Sequence, residues 1–529
     1  MSLPVYNAGP PPSPTAARAI MSEPRPVRRV AVIGGGISGL VAAHRLIEQS
    51  QPDAPIDVTL FEASDRIGGV FGTIHVDDYL VETGADMFIT NQPAAVKLCE
   101  RLGIADELIP TDTTHRGSLV LRNGRPVRVP EGFMLLSPAK VWPVLKSPIF
   151  SPLGKLRMGL EYLLPRKTGS EEESLAAFVH RRFGREAFER LIQPLVGGIY
   201  TADPEKLSLK ATMPRFLDME RQWRSLIRAS RRSASDSAGE SDSAGASETN
   251  GSGARYGLFT APRNGMSVIL DCLKEIVESS GTLRTGARIE SLHRTADGRF
   301  ALRVKEHQNA AADSQPADEQ FDAVVVALRT HHVADLLEEA TGAPDGADIP
   351  ECQRLNELLR SIEYSSAAIV VSGHQLADIE HPLDAFGLVI PHIEGRRILA
   401  VSFTSRKFPG RAPEGRVLLR TFIGGALQPE LLEQSDEELF QVVREELAST
   451  LGVHGEPDFQ RIVRYEQSMP QYHLGHLDRV SAIESLTQAV PGFELVGNAY
   501  RGVGIPDCIR YAESAVDRLL ASLNEAQAN

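Results

Sequence analysis

The sequence predicts an α/β domain joined to a mixed α+β part, with a helical insertion between them. Three observations lead to this prediction. A strand, a helix and a second strand follow one another near the N-terminus, a helix-rich stretch covers about 94–222, and strand-like segments return from about residue 281. With 529 residues, the chain has room for about three domains.

The individual elements are predicted from apolar periodicity and β-branched content. The first unit consists of the strand RRVAVIGG, the helix SGLVAAHRLIEQ and the strand IDVTLFEA. In the helix-rich stretch, apolar residues recur at helical spacing in SLAAFVHRRFGREAFERLIQPLV. Later strands are predicted in GTLRTGARIESLHRT, FALRVKE, FDAVVVAL, EYSSAAIVVSG, RRILAVSF and FELVGNA, before the closing helix IRYAESAVDRLLASL. The α/β domain is therefore expected to be assembled from separated segments.

Two segments are predicted to be disordered. Residues 1–28 are rich in proline and contain no apolar core of a signal peptide, so they are interpreted as a leader, and Met21 is a second possible start. Residues 230–255 are mostly Ser, Gly and Ala and contain no large apolar side chain, so they cannot bury enough surface to offset the entropy of ordering.

Composition limits the classes of function. Lys and Arg number 56 against 69 Asp and Glu, a formal net charge of −13, which argues against general affinity for nucleic acid or an anionic membrane. The four cysteines, Cys99, Cys272, Cys352 and Cys508, are far apart and form no metal-binding or disulfide pattern, so we expect them to be reduced and mostly packed. No apolar run reaches the ~20 residues that a membrane-spanning helix needs.

A dinucleotide motif lies at the first strand–helix junction. In GGGISG, Gly34 allows a tight turn, Gly36 lets the backbone approach a pyrophosphate, and Gly39 lets the helix pack on the strand. The phosphates would meet the positive end of the helix. Glu62 ends the second strand, where a carboxylate accepts hydrogen bonds from ribose hydroxyls.

The next stretch, EASDRIGGVFGT, favours FAD over NAD. Glu62, Arg66, Gly68 and Gly69 resemble the ExxxRxGG signature of the large flavoprotein group that includes amine oxidases and phytoene desaturases. We interpret the arginine and two exposed backbone amides as an extension of the pyrophosphate cradle.

Three further motifs narrow the resemblance. GNAYRGVGIPDCIRYAESAV places glycines and small residues before a helix, which suits contact with a flat ring. Together with MPQYHLGH and GGIYTADPEKLSLKATMP, it closely resembles the oxygen-dependent protoporphyrinogen oxidase family, and specifically its Gram-positive-type members that act on coproporphyrinogen III. The resemblance extends from about Arg29 to Leu523, apart from the Ser-rich insertion.

The resemblance implies an architecture and a cofactor site. It implies an FAD domain from residues 29–93, 256–330 and 470–529, a helical domain at 94–229 that attaches to membranes in some members, and a substrate domain at 331–469. The cofactor contacts that it implies, with the motif residues above, are Gly34, Gly35, Gly36, Ile37, Ser38, Gly39, Glu62, Ala63, Arg66, Gly68, Gly69, Gly84, Ala85, Asp86, Met87, Ile289, Asn498, Val503, Gly504 and Ile505.

The family's reaction belongs to haem biosynthesis. It removes six electrons from a porphyrinogen in three two-electron steps, and O2 reoxidises the flavin and yields H2O2. This chemistry belongs largely to the cofactor, and the sequence contains no Ser/His/Asp grouping, paired-carboxylate motif or HExxH. We therefore assign no catalytic acid or base.

Two residues are candidates for substrate binding. Gly198 matches a position that lies against the tetrapyrrole in relatives. Eukaryotic-type relatives carry an arginine at the position of Ser118, and Arg116 would face the same side of a regular strand, although it could equally be a solvated strand arginine. His473 and His476 are interpreted as hydrogen-bonding structural residues rather than metal ligands, and Tyr472 as a packing residue.

The segment GFMLLSPAKVWPVLKSPIFSPLGKLRMGLEYLLP has two interpretations. Its apolar residues alternate with Lys140, Lys146, Lys155 and Arg157, which is compatible with a helix lying in a membrane interface. We favour the second interpretation, in which the apolar residues pack the helical domain and the lysines extend to water. The expected location is the cytoplasm, with peripheral membrane association and transient contact with the next haem-pathway enzyme left open.

Three different functions are also compatible with the sequence. Protoporphyrinogen IX carries two propionates fewer than coproporphyrinogen III and could be the substrate of the same chemistry. An amine oxidase of the same architecture is a second possibility, because the best-known members bond flavin to a C-terminal cysteine, and Cys508 lies in PDCI. A non-enzymatic binder resembling the GDP-dissociation inhibitors is the third.

Overall fold

The computed structural model describes residues 27–239, 259–306, 317–338 and 352–528. Nearly all of the predicted leader and residues 240–255 of the predicted insertion lie outside these ranges. The helix Leu226–Gly239 covers the first ten residues assigned to the insertion, so that part is helical and the prediction of disorder is wrong there.

A five-stranded parallel sheet forms the centre of the first domain. Its spatial order is Thr282–Arg284, Ile56–Phe61, Arg28–Ile33, Ala323–Val326 and Phe493–Leu495. Five of the six residues of its central strand are buried, because both faces of the sheet are covered. The strands come from three separate parts of the chain, which confirms the predicted Rossmann-type domain built from discontinuous segments.

Helices and a small sheet cover this parallel sheet. Helix Ile37–Gln49 is buried along most of its length and packs against two other helices of the layer. The covering helices are Ile37–Gln49, Ala94–Arg101, Ser267–Ser280 and Ile505–Ala528, and the antiparallel strands are Ala287–Arg294, Phe300–Glu306 and Ala317–Phe321.

A seven-stranded mixed sheet forms the second layer. Its order is Phe459–Pro470, Tyr364–Gln375, Arg416–Gly424, Ala400–Phe403, Gly387–Val389, Leu119–Arg122 and Arg125–Arg128. Only the pair Gly387–Val389 and Leu119–Arg122 runs parallel. Helix Asp436–Leu451 packs on this sheet and begins with a capping box between Ser435 and Glu438. The predicted mixed-sheet domain is confirmed.

The helical region has its own apolar core, which includes Phe178, Leu191 and Phe216. Its helices are Val141–Lys146, Pro152–Gly159, Leu175–Arg182, Arg185–Ala187, Gln193–Tyr200, Leu209–Thr212, Pro214–Trp223 and Leu226–Gly239, with a π-helical turn at Phe188–Ile192 and a 3-10 turn at Leu160–Tyr162. No described helix is both long and apolar enough to cross a membrane.

Shorter elements connect the layers. The remaining helices are Thr330–Glu338, Cys352–Arg360, Thr404–Lys407 and His476–Gln488, with 3-10 turns at Ala105–Glu107, Leu376–Asp378, His392–Glu394 and Pro429–Glu433. The small sheets pair Thr73–Val76 with Tyr79–Glu82, Phe259–Pro262 with Phe88–Ile89 and Leu108–Pro110, and Phe133–Met134 with Ser137–Pro138.

Two predicted domain boundaries differ from the structure. Strands Leu119–Arg122 and Arg125–Arg128 fall inside the predicted helical interval 94–229, but they extend the seven-stranded sheet. Helices Thr330–Glu338 and Cys352–Arg360 fall inside the predicted substrate interval 331–469, but Leu337 and Leu355 pack in the core of the parallel-sheet domain. Amphipathic spacing identifies a buried face in these segments without identifying the domain that covers it.

Candidate active site

The first glycine turn lies at the carboxyl end of the central parallel strand. Gly34 has φ +108°, a conformation that favours glycine, and its N–H donates to the Phe61 carbonyl at 2.8 Å. A Cβ on Gly39 would lie 1.9 Å from the Gly34 carbonyl oxygen, so no side chain fits there. Ile37 and Ser38 begin the helix that follows, and its free N–H groups point towards the turn.

Gly36 differs from its neighbours. A Cβ built on Gly36 meets no heavy atom within 4 Å, so this position opens onto a cleft. An open glycine before a helix N-terminus is the arrangement that a pyrophosphate requires. The residues present therefore fit a dinucleotide.

Glu62 connects the turn to the second strand. Its Oε2 accepts from the Gly35 N–H at 2.7 Å, and its Oε1 accepts from the Ser64 N–H at 2.8 Å. Oε1 also accepts from the Ser64 hydroxyl at 2.7 Å, so of about four acceptor positions one remains, on Oε2, for a ribose hydroxyl. The Glu62 carbonyl accepts from the Ala287 N–H at 2.9 Å, which brings the strand containing Ile289 to the same end of the sheet. Ala63 is exposed beside it.

The structure corrects the interpretation of Arg66 and the two glycine amides as an extension of the pyrophosphate cradle. The guanidinium donates to the carbonyls of Gly69 at 2.8 Å, Phe71 at 3.1 Å and Ile67 at 3.2 Å, so it organises its own loop. The Gly68 N–H donates to the Gly35 carbonyl at 2.7 Å and is not exposed, contrary to the prediction of two exposed amides. A Cβ on Gly69 would lie 3.4 Å from Gly36 Cα, so the loop forms the second side of the cleft.

Residues 84–87 lie between the two large sheets. A Cβ on Gly84 would lie 1.8 Å from the Val70 carbonyl oxygen, so this glycine allows the two segments to touch. Ala85 and Met87 are partly exposed. The Asp86 carboxylate points into an ion cluster with Lys407 at 3.2 Å and Arg420 at 3.1 Å. Burial opposes its ionisation, but the two cations outweigh burial and lower the pKa of Asp86 to about 2.

Residues 498–504 form the loop before the last helix, the C-terminal wall, and Tyr472 holds this loop in place. The Tyr472 hydroxyl donates to the Asn498 carbonyl at 2.6 Å and accepts from the Gly502 N–H at 2.9 Å. A Cβ on Gly502, which has φ +141°, would lie 2.5 Å from Asp507 Cβ, so the loop is closed tightly against the first turn of the last helix. Val503 and Gly504 follow, and that helix begins at Ile505. Tyr472 therefore has a positioning contact in addition to the predicted packing.

The histidines of MPQYHLGH have structural partners. The His476 ring stacks on Tyr472 with centroids 3.8 Å apart, and its Nε2 lies 3.2 Å from the Tyr500 carbonyl. Burial lowers the pKa of His476 to about 4. His473 Nδ1 lies 3.5 Å from Glu363. The described residues contain no cluster of metal-ligating side chains.

Gly198 lies near the end of helix Gln193–Tyr200. A Cβ on Gly198 meets no heavy atom within 4 Å, so this helix face is open. The chain then contacts the loop after strand Arg416–Gly424, where the Thr201 carbonyl accepts from the Ala426 N–H at 2.8 Å. Tyr200 is partly buried, and burial together with the Asp507 carboxylate raises its pKa to about 12. The glycine thus lies on an open face next to the C-terminal wall.

Arg116 does not lie on a regular strand. The strand begins at Leu119, and Gly117, between Arg116 and Ser118, has φ +126°, which interrupts the extended backbone. The premise of a regular strand through Arg116 and Ser118 is therefore wrong. The Nε of Arg116 is buried without a hydrogen-bond partner in the structure, so the side chain retains an unused donor.

The structure also corrects part of the interpretation of the apolar segment at residues 132–165. Packing is the favoured prediction for it and is correct for Phe133, Leu136, Val144, Ile149, Phe150 and Met158, which are buried in the core of the helical region. Seven other large side chains form an exposed face, in which Leu153 is 78% and Trp142 is 65% exposed. The exposed residues are Val141, Trp142, Leu145, Leu153, Leu156, Leu160 and Leu163. Lys146 lies 5.3 Å from the Trp142 ring centroid, which places a cation at the edge of this apolar face.

Sequence reasoning missed the cations of the Asp86 cluster. Arg420 lies in the strand RVLLRTFIG and is 1% exposed, and Lys407 is 8% exposed. A charged residue inside an apolar strand is the signal that could have found Arg420, since such residues are rarely buried without a partner. Lys407 ends the short helix Thr404–Lys407 and gives no such signal.

The four cysteines are free thiols. Cys99, Cys352 and Cys508 are buried, and Cys272 is partly buried, which confirms the expectation that the cysteines are mostly packed.

Comparisons with known proteins agree with this geometry. Residues 37–520 match the model of the flavin-containing amine oxidoreductases. Coproporphyrinogen III oxidase of Bacillus subtilis is 30% identical over 94% of this chain and 98% of the relative. Protoporphyrinogen oxidase 2, chloroplastic/mitochondrial, of Arabidopsis thaliana is 29% identical over 94% of each chain.

A solved structure is also similar. The crystal structure of an Exiguobacterium sp. 255-15 protein, assigned as a protoporphyrinogen oxidase, has a TM-score of 0.77 and 26% identity. The similarity covers 94% of this chain and 99% of that chain, so both large sheets and the helical region are included.

Proposed function

The chain belongs to the flavin-containing amine oxidoreductases, and within this family we propose that it is an FAD-dependent coproporphyrinogen III oxidase of haem biosynthesis. In the proposed reaction, coproporphyrinogen III loses six electrons and six protons, and three O2 accept them as three H2O2. The observation that carries the proposal is the pairing of two cofactor walls, at Gly36 and at Gly502, with similarity to coproporphyrinogen III oxidases over nearly the whole chain.

The cofactor site supports FAD through residues on both walls. The open turn at Gly36 and the following helix N-terminus would hold the pyrophosphate, and the remaining acceptor position on Glu62 Oε2 would hold a ribose hydroxyl. Backbone at 84–87 and 498–504 would flank the flavin ring. When bound, FAD supplies the electron transfer itself.

The protein would therefore act by positioning the cofactor and the substrate. The Tyr472 hydroxyl fixes the C-terminal wall through Asn498 and Gly502, and no acid or base is assigned because the leaving protons can pass to water. We propose that Gly198 lies against the tetrapyrrole, since a Cβ there meets nothing within 4 Å. The unused donor of Arg116 would serve a propionate.

The proposal also includes a location and partners. We propose that the enzyme is cytoplasmic and that the exposed apolar face of the helical region, edged by Lys146 and Lys155, attaches peripherally to membranes. Contact with the next enzyme of the pathway is part of the same proposal, because a released porphyrin would pass directly to it.

The substrate test compares two porphyrinogens. Each is prepared anaerobically and mixed with the FAD-loaded enzyme and O2 while porphyrin fluorescence and H2O2 are followed. We expect a higher kcat/KM for coproporphyrinogen III, with three H2O2 per porphyrin. Reversed preference would assign protoporphyrinogen IX instead, and equal preference would contradict the choice of coproporphyrinogen III.

An amine oxidase and a non-enzymatic binder would each give a distinct result. A yellow colour that remains on the denatured chain would favour the covalently bound flavin of an amine oxidase, although Cys508 is buried and its Sγ lies 3.8 Å from the Gly502 carbonyl oxygen. A purified protein that binds no flavin after incubation with FAD would favour a non-enzymatic binder.

A further inference from the structure

A buried ion cluster joins the proposed flavin segment to the seven-stranded sheet. The Asp86 carboxylate lies 3.2 Å from Lys407 Nζ and 3.1 Å from Arg420 Nη1. Arg420 also donates to the Gly84 carbonyl, so its guanidinium contacts the 84–87 segment directly. Asp86 is separated from both cations by more than three hundred residues, and the cluster exists only in the folded chain.

Neighbouring charged and polar side chains make further contacts where the 84–87 segment meets the seven-stranded sheet. Glu82 is fully buried and accepts from the Met266 N–H at 2.9 Å, and Arg411 is fully buried and donates to the Pro262 carbonyl at 2.8 Å. Tyr465 on the seven-stranded sheet donates to the Thr83 carbonyl at 2.5 Å. The cations of Lys407, Arg411 and Arg420 therefore face two carboxylates, which leaves one positive charge in excess.

Stability alone does not explain this arrangement. A buried ion cluster is often no more stable than well-packed apolar residues of the same volume, because desolvation offsets the attraction between the charges. The Nε atoms of Arg411 and Arg420 are buried without hydrogen-bond partners, which adds to the cost. An excess cation in a buried, low-dielectric site does, however, act strongly on a neighbouring group that changes charge.

We propose that Lys407 and Arg420 are positioning residues that hold a net positive charge against the 84–87 segment and so favour the reduced, anionic form of bound FAD. This inference rests on the proposed function, which assigns the backbone of 84–87 to the flavin. It concerns the balance of the three side chains and not a proton transfer by any of them. Asp86 offsets one of the two positive charges, and Lys407 supplies the positive charge that remains.

Charge-changing variants of opposite sign test the inference. Lys407→Met removes the excess charge, and Asp86→Asn increases it, while each side chain stays close to the original in size. The FAD-loaded wild type and variants are titrated against a redox dye, and the ratio of reduced to oxidised flavin is read spectroscopically at fixed potential. Arg444→Gln is the control, because Arg444 pairs with Glu456 on an exposed helix face.

We expect the ratio to fall at least tenfold in Lys407→Met, which corresponds to about 30 mV for a two-electron couple. It should rise in Asp86→Asn and remain unchanged in Arg444→Gln, and Lys407→Arg should restore the wild-type ratio. If the cluster were purely structural, Lys407→Met and Asp86→Asn would change the ratio of reduced to oxidised flavin in the same direction or leave it unchanged. Either result would overturn the inference. If Asp86→Asn fails to fold, Lys407→Met and Lys407→Arg decide the question.

Failure of the proposed function would look different. In that case the wild type would bind no flavin or oxidise no porphyrinogen. An active wild-type flavoenzyme whose potential is insensitive to Lys407 would refute only the inference about the cluster.

Discussion

The hydroxyl of Tyr472 accepts a hydrogen bond from the backbone N–H of Gly502 at 2.9 Å. The same hydroxyl donates to the Asn498 carbonyl, so one buried side chain holds both ends of the loop that precedes the last helix. Because the loop backbone would contact the flavin, a change at Tyr472 should reach the cofactor without touching it.

Tyr472→Phe should loosen that loop. The variant keeps the ring stacked on His476 but leaves the Gly502 N–H without its acceptor, which costs about 1–3 kcal/mol. We expect FAD affinity to fall about tenfold, measured by fluorescence on titration of the apoprotein. Tyr162→Phe, on a turn of the helical region, is the control, and wild-type affinity in Tyr472→Phe would show that the loop needs no such anchor.

Gly36→Val and Gly39→Ala should separate binding from folding. A side chain at Gly36 points into the open cleft, so the variant should fold with wild-type stability and retain no FAD. A side chain at Gly39 would lie 1.9 Å from the Gly34 carbonyl oxygen, so the apoprotein itself should lose several kcal/mol. Absorbance at the flavin bands and urea unfolding of the apoproteins measure the two effects. Full flavin occupancy in Gly36→Val contradicts the assignment of the turn.

The nucleotide turn is predictable because its information is local. Gly34, Gly39 and Glu62 lie within thirty residues, and strand, turn and helix each have a sequence pattern of their own. The Asp86 cluster is not predictable, since its partners lie on elements far along the chain and a single sequence does not pair them. A charged residue in an apolar strand indicates a buried partner without identifying it.

Two other errors have local causes. Strand alternation does not apply to Arg116, because the positive φ of Gly117 interrupts the extended backbone and the tripeptide RGS does not reveal where pairing begins. Leu153 and Leu156 are predicted to pack because apolar spacing does not distinguish a face that meets the core from one that meets solvent.

Stability should fall on acidification because of two buried histidines. Burial lowers the pKa of both His374 and His476 to about 4, below the ordinary 6.5. The unfolded chain therefore binds more protons between these values, so the stability is complete above pH 6.5 and is lost as pH falls towards 4. Each histidine contributes up to about 3 kcal/mol by this route.

His476→Phe should flatten that dependence. The aromatic ring stays against Tyr472 but no longer titrates, so the urea midpoint should change less between pH 6.5 and 4 than in the wild type. His454→Asn is the matched control, because the His454 side chain is 63% exposed. If the urea midpoint of His476→Phe changes with pH as it does in the wild type, the acid sensitivity does not come from His476.

Leu153→Ser with Leu156→Ser should weaken attachment to vesicles. The two side chains are 78% and 63% exposed, and burying each in lipid is worth about 1–2 kcal/mol. We expect at least tenfold less protein to sediment with vesicles of phosphatidylcholine and phosphatidylglycerol. The control is Ile393→Ser, because Ile393 is an exposed apolar residue in the 3-10 turn His392–Glu394, outside the exposed apolar face. This variant should sediment like the wild type. If the wild type itself does not sediment, the exposed face does not bind lipid.

Gly198 offers a test of the substrate site that does not depend on the cofactor turn. Because a Cβ at Gly198 meets nothing within 4 Å, Gly198→Ala should be neutral or stabilise the helix by about 0.5–1 kcal/mol. A larger side chain should enter the space proposed for the tetrapyrrole, so Gly198→Leu should raise KM at least tenfold while FAD content and the unfolding midpoint remain unchanged.

Gly159→Leu is the matched control for Gly198→Leu. Gly159 also lies on a helix with open space at its Cβ, but it belongs to the exposed apolar face. Steady-state porphyrin fluorescence should show wild-type KM in Gly159→Leu and a raised KM in Gly198→Leu. Equal kinetics in the two variants would remove Gly198 from the substrate site and leave the cofactor assignment intact, because neither glycine lies in the FAD walls.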